Sequence, residues 1–186
     1  MNVQQTQQIV DVLSILKGQP LQFVFRSLDM ICFEFGNVIV KKVIGRDQDG
    51  KASLVDGEAG KYALHIQTFF RLSAGSEILL ARGDLFQPNS ELAANEDYDG
   101  DEFDWNPNGN NRFDEVVKQH LSQPRDFLIA DVSANRLGDL KLKFANGFVL
   151  EILVDVSGTE ECWRFFEAES EEHLVVTGQG IEMEEA

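Results

Sequence analysis

The alternation of apolar and charged residues in the C-terminal third constrains the fold of this chain most strongly. Leu140, Leu142 and Phe144 alternate with Lys141 and Lys143, which is the period of a strand with one buried face and one solvent-exposed face. An Asn-Gly pair follows shortly after and favours a tight hairpin turn, because both residues accept a positive φ. This segment therefore predicts antiparallel pairing between neighbouring strands.

Other short runs of β-branched and aromatic residues lie on both sides of this hairpin. Residues 21–25 and 31–35 alternate in the same way, and we expect residues 62–72 to form a single strand. Residues 47–60 are polar and rich in Gly and Asp, which predicts a loop. In the C-terminal third the predicted strands are 127–132, 140–144, 148–154 and 163–168.

Two segments have helical periodicity. Residues 4–17 place apolar residues every three to four positions and stop at Gly18, and a second apolar face covers residues 113–122 before Pro124. Many strands with few helices point away from βαβ units. We therefore expect an α+β fold, a largely antiparallel sheet or meander with an N-terminal helix and one helix near 113–122, in a single domain over residues 1–186.

The negative charge of the chain is concentrated in two windows. The net charge is −16, of which residues 91–115 contribute −8 and residues 151–186 contribute −10, while the remainder is +2. We expect an acidic loop insertion at about 87–112 and a loose acidic C-terminal tail at about 178–186. Such a field repels nucleic acid and anionic membranes and favours basic partners. The alternative is that the charge only keeps the protein soluble.

The compartment is inferred from what the sequence lacks. It has no apolar stretch near the ~20 residues of a membrane-spanning helix, and its first residues do not resemble a secretory signal. Cys32 and Cys162 lie far apart in the chain without metal-ligand spacing, which fits reduced thiols. We therefore expect a soluble, cytoplasmic protein with no Cys32–Cys162 disulfide.

The acidic insertion contains the spacing of a Ca²⁺-binding loop. Asp104 to Glu115 follows the pattern D-x-[DN]-x-[DN]-G-x5-E, in which oxygen ligands wrap one hard cation. Asn111 and Arg112 depart from the pattern, and the few charged ligands indicate weak affinity. The alternative is a solvated turn whose Asn and Asp side chains hydrogen-bond their own backbone. The predicted metal ligands are Asp104, Asn106, Asn108, Asn110 and Glu115, and weak Ca²⁺ is the one cofactor that the sequence suggests.

A second predicted site is a polar row on the strand expected at 62–72. His65, Gln67 and Arg71 lie at even spacings there and could share one face as a ligand-binding site. The alternative is a solvent-exposed face on which Arg71 pairs with an acid. Cys32 could act as a nucleophile only if the fold brought a histidine to it, and a buried thiol is the simpler interpretation. We predict no catalytic residue.

Three stretches resemble a family of bacterial proteins of unknown function. They are residues 26–36 (RSLDMICFEFG), residues 62–71 (YALHIQTFFR), and Asn146-Gly147 together with residues 163–166 (WRFF). The resemblance extends over about residues 21–166. It implies a bacterial cytosolic protein, and it implies no activity, catalytic residue or cofactor.

Three classes of function follow from these observations. The leading expectation is a non-enzymatic binding module for a basic protein partner, comparable to an immunity protein that blocks a toxin. The competing expectation is a small-ligand-binding module or small enzyme that uses the row of His65, Gln67 and Arg71. The third is a homo-oligomer whose exposed strand edges pair.

Overall fold

Two antiparallel sheets form the framework of the computed structural model, which describes residues 1–46, 51–96, 98–100, 103–122, 124 and 126–185. All pairs of neighbouring strands are antiparallel, which confirms the predicted α+β class with largely antiparallel sheets. The first sheet has the spatial order β1 (Leu21–Ser27), β2 (Met30–Arg46), β3 (Ala52–Ile66), β9 (Glu161–Glu167), β10 (Glu172–Thr177) and β11 (Gly180–Glu185). The second has the order β5 (Glu77–Ala81), β4 (Phe69–Ala74), β8 (Phe148–Leu153), β7 (Leu140–Phe144) and β6 (Ile129–Ala134).

The helices are short, and two of them lie where the sequence predicts them. Helix α1 begins with a reciprocal cap in which the Asn2 side chain accepts from the Gln5 N–H at 2.9 Å and the Gln5 side chain accepts from the Asn2 N–H at 3.1 Å. The helical segments are α1 (Val3–Leu13) with a 3₁₀ turn (Ser14–Leu16), a second 3₁₀ turn (Arg82–Phe86), α2 (Ser90–Ala93), and α3 (Arg112–Val116) with a π turn (Val117–Leu121). In the described part of the chain, no helix is long and apolar enough to cross a membrane.

The facing sides of the two sheets share one hydrophobic core. Phe33 of β2 meets Phe70 of β4 edge to face with ring centroids 6.0 Å apart, and Phe70 meets Phe113 of α3 at 6.5 Å. Trp163 is fully buried, and its indole N–H donates to the Gly138 carbonyl at 3.1 Å. Both cysteines are free and buried.

The chain passes from the first sheet to the second where the sequence predicts an uninterrupted strand. The prediction of one strand over 62–72 is wrong, because β3 ends at Ile66 and pairs with β9, whereas β4 begins at Phe69 and pairs with β8. Between them Thr68 is 1% exposed, and its hydroxyl lies 2.5 Å from both the Leu153 carbonyl and an Asp155 carboxylate oxygen. These acceptors fix the crossing, and residue propensity does not reveal them.

The predicted loop over 47–60 is also wrong for the part that the structure describes. Residues 52–60 belong to β3 and pair in register with the distal half of β2, for example Val40 with Glu58. A partner strand thus overrides the loop-like composition. Residues 47–50 lie outside the described residues.

The expectation of a loose tail at 178–186 needs the same correction. Residues 180–185 form β11, which pairs with β10 along its whole length, and Ile181 packs against the core. The apolar contact of Ile181 and the ladder to β10 outweigh the repulsion among the acids there. Residue 186 lies outside the described residues.

The acidic insertion at 87–112 has more structure than its composition suggests. It contains α2, its two ends meet in an isolated bridge between Pro88 and Asn111, and Asn111 is fully buried. The Asn111 side chain donates to the Trp105 carbonyl at 3.0 Å and accepts from the Asp114 N–H at 2.8 Å. Residues 97, 101 and 102 lie outside the described residues.

We predict that Gly60→Ala destabilises the protein by about 1–3 kcal/mol, the usual cost of overpacking. A Cβ at Gly60 would lie 2.7 Å from the Phe35 backbone nitrogen and 2.9 Å from the Glu34 Cβ, so the β2–β3 pair would have to separate. Urea unfolding measures the change. Gly158→Ala is the matched control, because nothing lies within 4 Å of the added Cβ, and an equal loss in both variants would contradict the packing argument.

Candidate functional site

The structure separates Arg71 from the other two residues of the predicted polar row. His65 lies in β3 of the first sheet, whereas Arg71 lies in β4 of the second, so they do not share a face. The Arg71 Nε donates to Glu151 at 2.7 Å, and Lys141 contacts the same carboxylate at 2.8 Å. The predicted ligand row therefore does not exist as a unit, since the chain changes sheets at Gln67-Thr68.

His65 instead joins a polar cluster formed across β3, β9 and β10. It lies opposite Arg164 in the strand register, and Arg164 is held by Glu161, to which its Nε donates at 2.8 Å. The Arg164 Nη1 lies 3.2 Å from Nδ1 of His173. Because a guanidinium can only donate, His173 accepts with Nδ1 and carries its proton on Nε2. Gln67 also contacts Glu161, so two of the three predicted row residues belong to this cluster.

An aromatic ring links the two histidines of this cluster. His173 stacks on Phe166 with ring centroids 4.2 Å apart, and His65 meets the same ring edge-on at 4.9 Å. Burial and the nearby positive charge of Arg164 lower the pKa of His65 to about 4. The same two causes lower the pKa of His173. Both imidazoles are therefore neutral at pH 7.

Cys32 lies directly opposite His65 in the register, so the fold does create a Cys–His neighbour pair. Burial, followed by the negative charge of Glu34, raises the pKa of the Cys32 thiol to about 12. A nucleophilic cysteine needs the opposite electrostatics, a thiolate stabilised by a cationic neighbour. The thiol and imidazole here are both held neutral, which fits a buried structural pair.

Glu34 is buried beside this pair, at 4% exposure. It accepts a hydrogen bond from the Gly60 N–H at 2.8 Å. Burial raises its pKa, although this hydrogen bond and the charge of Lys41 oppose the shift. Its carboxylate thus ties β2 to β3 at the point where Gly60 permits their close approach.

Three of the five predicted Ca²⁺ ligands, Asp104, Asn110 and Glu115, form side-chain hydrogen bonds within or around the loop. An Asp104 carboxylate oxygen accepts from the Asn106 N–H at 3.0 Å, and the Asn110 side chain donates to the Asp104 carbonyl at 3.3 Å. Glu115 accepts from both the backbone N–H, at 3.1 Å, and the hydroxyl of Ser90. These hydrogen bonds lower the pKa of Glu115. Asn108 is exposed.

This arrangement matches the alternative of a self-satisfied polar turn. In the described part of the chain, no group of three or more His, Cys, Asp or Glu side chains is placed to hold a metal ion. The loop is fastened by Arg26, which donates to both carboxylate oxygens of Asp114 at 2.9 Å and to the carbonyls of Asn106 at 3.0 Å and Pro107 at 3.2 Å.

The C-terminal window forms a different kind of surface at one end of the first sheet. The end of β9, the turn between β9 and β10, the start of β10 and the strand β11 carry seven carboxylates, which we call the acidic end. Glu172 lies directly opposite Glu185, a like-charge pair that destabilises a sheet. The acidic end consists of Glu167, Glu169, Glu171, Glu172, Glu182, Glu184 and Glu185.

Most of these carboxylates carry an uncompensated charge. Glu167 pairs with Lys61 at 3.2 Å, and Glu184 lies 3.6 Å from Arg164. The other five are exposed, and among the described residues none of them has an ion-pair partner. They are Glu169, Glu171, Glu172, Glu182 and Glu185.

An apolar groove of about 240 Å³ opens beside the acidic end, between α1 and the strands β3 and β9 to β11. Its polar lining residues are Glu167, Ser170 and Glu172. Met183 is 48% exposed and Ile15, in the turn after α1, is 46% exposed, so the groove presents apolar surface to solvent. Its apolar lining is formed by Val12, Ile15, Tyr62, Phe165, Leu174 and Met183.

Sequence reasoning missed Glu161, Arg164 and His173 as partners of His65. Arg164 is the single basic residue within 151–186, which was a signal that its neighbours would converge on it. The pairing of β3 with β9 joins segments about a hundred residues apart in the chain, and local periodicity carries no information about such pairing.

No protein-family model, curated protein or solved structure matches this chain. The resemblance to a bacterial family stays a prediction.

We predict that millimolar Ca²⁺ leaves the thermal midpoint and the Trp105 fluorescence unchanged. The Glu115 carboxylate is occupied by Ser90, and Trp105 packs against Phe86 at 5.4 Å, so the loop is ordered without a cation. A calcium-specific rise in the thermal midpoint, not reproduced by Mg²⁺, would contradict this prediction and support the metal site.

We also predict that the free energy of unfolding falls as the pH decreases from about 6.5 to 4. The unfolded chain protonates His65 below its ordinary pKa of 6.5, whereas the folded protein resists protonation until about 4. The loss attributable to His65 is about 2–3 kcal/mol. The raised pKa of Glu34 acts with the opposite sign, since its contribution is lost as the pH rises.

Urea unfolding at several pH values measures this dependence. His65→Gln should flatten it, and His120→Gln, at an exposed position, should retain it. An unchanged slope in His65→Gln would show that other groups cause the acid sensitivity.

Proposed function

We propose that the protein is a non-enzymatic binding module for a basic protein partner and that the acidic end is its binding surface. The observation that supports this most directly is the set of five exposed carboxylates without ion-pair partners, beside an open apolar groove. Complementary charge steers association and excludes wrong partners, as in an immunity protein that covers a basic toxin.

The second acidic window is less suited to this role. Arg26 donates to the Asp114 carboxylate at 2.9 Å, and the Glu115 carboxylate accepts from Ser90. Arg112 reaches out of the loop to Asp84 at 3.4 Å. Asp114 and Glu115 thus hold the loop to neighbouring segments. Five of the seven carboxylates of the acidic end, in contrast, have no ion-pair partner among the described residues.

The composition of the surface favours Lys and Arg side chains in particular. Both bury an apolar stem while keeping a charged head in water. The groove supplies apolar area at Met183 and Ile15, and Glu167 and Glu172 lie in its lining. Lys61 already shows this mode within the protein, since its ammonium lies 5.3 Å from the Tyr62 ring centroid and 3.2 Å from Glu167.

The competing proposal of an enzyme or small-ligand module has less support. It needed His65, Gln67 and Arg71 on one face, and Arg71 lies in the other sheet. The neighbouring Cys32 and His65 are held in neutral forms, which opposes nucleophilic catalysis.

We predict that the purified protein retains basic proteins of its host at low salt and releases them at high salt. Exposed charges separated by more than a Debye length, about 10 Å at 0.1 M salt, are screened. Glu172→Lys combined with Glu182→Lys should abolish retention, because it reverses two unpaired charges of the acidic end. The readout is the amount of bound protein with a basic isoelectric point.

The matched control reverses two exposed acids elsewhere, Glu77→Lys with Asp126→Lys, and reaches the same net charge. It should bind like the unmodified protein. Equal loss in both double variants would mean that overall charge, not the acidic end, drives binding. Failure of the unmodified protein to retain any basic protein at low salt would overturn the proposal.

A further inference from the structure

The free edge of β11 distinguishes the acidic end from a merely charged surface. β11 is the last strand of the first sheet, with β10 as its neighbour on one side. In the ranges that the structure describes, no backbone group outside β10 forms a hydrogen bond with residues 180–185. Backbone N–H and C=O groups on the outer edge are therefore available to a further strand.

The opposite edge of the same sheet, strand β1, is covered at its start. The Leu21 N–H of β1 donates to the Phe127 carbonyl at 2.8 Å, and Pro20 forms a bridge with Leu128. Farther along β1, the Arg26 side chain donates to two carbonyls of the acidic loop. The start of β1 is therefore covered, whereas the outer edge of β11 is open, and the acidic side chains of β11 suit a basic strand.

Side chains of β11 alternate between two chemically distinct faces. Ile181 and Met183 lie on the groove side, where Ile181 packs against the core and Met183 lines the groove. Glu182 and Glu184 lie on the other side, where Glu184 approaches Arg164. A strand added to this edge would meet an apolar and an acidic position in turn.

We propose that a segment of the basic partner binds as an added strand on the outer edge of β11, with Lys or Arg alternating with apolar residues. This inference rests on the proposed function and specifies how the partner is recognised. The basic residues would lie beside Glu182 and Glu184, and the apolar residues would extend the surface of Met183 over the groove. Backbone hydrogen bonds supply affinity in this mode, and alternate side chains supply specificity.

Charge disfavours a second copy of this chain as the occupant. Pairing β11 with itself would bring Glu182, Glu184 and Glu185 of one copy against the same carboxylates of the other, and like charges across a strand pair are destabilising. The acids thus make pairing at the open edge specific, because they repel an identical strand and attract a basic one.

Two synthetic peptides of equal composition test the inference with the intact protein. Both have eight residues with blocked ends, four Lys and four Val. One alternates Lys and Val, and the other places four Lys before four Val. At low salt, fluorescence anisotropy should show that the alternating peptide binds at least tenfold more tightly.

Hydrogen exchange identifies the edge that is used. The alternating peptide should slow amide exchange in β11 and leave β1 unchanged. Equal affinity of the two peptides, or protection of β1 instead, would overturn strand addition while leaving charge-driven binding to the acidic end intact. If neither peptide binds, and Glu172→Lys with Glu182→Lys changes nothing, the proposed function fails as well.

Discussion

The crossing at Gln67-Thr68 is the constraint on which the arrangement of the two sheets depends. Two residues separate the end of β3 from the start of β4, so the chain cannot reach a distant layer and must turn directly into a second sheet beside the first. The buried Thr68 hydroxyl has its acceptors at the last residue of β8, Leu153, and just after it, at Asp155. An unpaired hydroxyl at this depth would cost about 1–3 kcal/mol. The second sheet therefore stabilises the crossing, and this contact couples the two sheets.

The polar groups on the outer face of the first sheet also stabilise one another. Arg164 stabilises this face because it hydrogen-bonds to Glu161 and His173 at once. Each of these groups would be costly to bury without a partner. Cys32 and Glu34 show the other solution, in which burial favours the neutral forms. Cys32, His65 and Glu34 are thus neighbours, as in a catalytic site, but the shifts in the pKa values of Cys32 and His65 favour neutral side chains over a thiolate–imidazolium pair.

The sequence was most informative where structure is decided locally. The period-two run from Leu140 to Phe144, the turn after it and the helix at the N-terminus are set by neighbours in the chain, and the structure confirms them. Local reasoning failed for residues 52–60 and 180–185, because their strand conformation depends on pairing with β2 and β10, respectively. The candidate site shows the same division. The acidic windows were visible in the sequence, whereas the groove forms only where α1 and four strands meet. Arg71 is separated from the predicted row by a two-residue crossing.

The border position of β11 has a further consequence for the integrity of the sheet. Its neighbour β10 contains Leu174, Val175 and Val176, all buried, and forms an apolar, β-branched strand. Local opening of β11, whose contacts with the rest of the fold are few, would leave this strand as the new edge. A charged border strand would then be replaced by one with the traits of an aggregation-prone segment. The acidic edge strand thus covers β10, and its charge opposes self-association. Conditions that neutralise its carboxylates would weaken this protection.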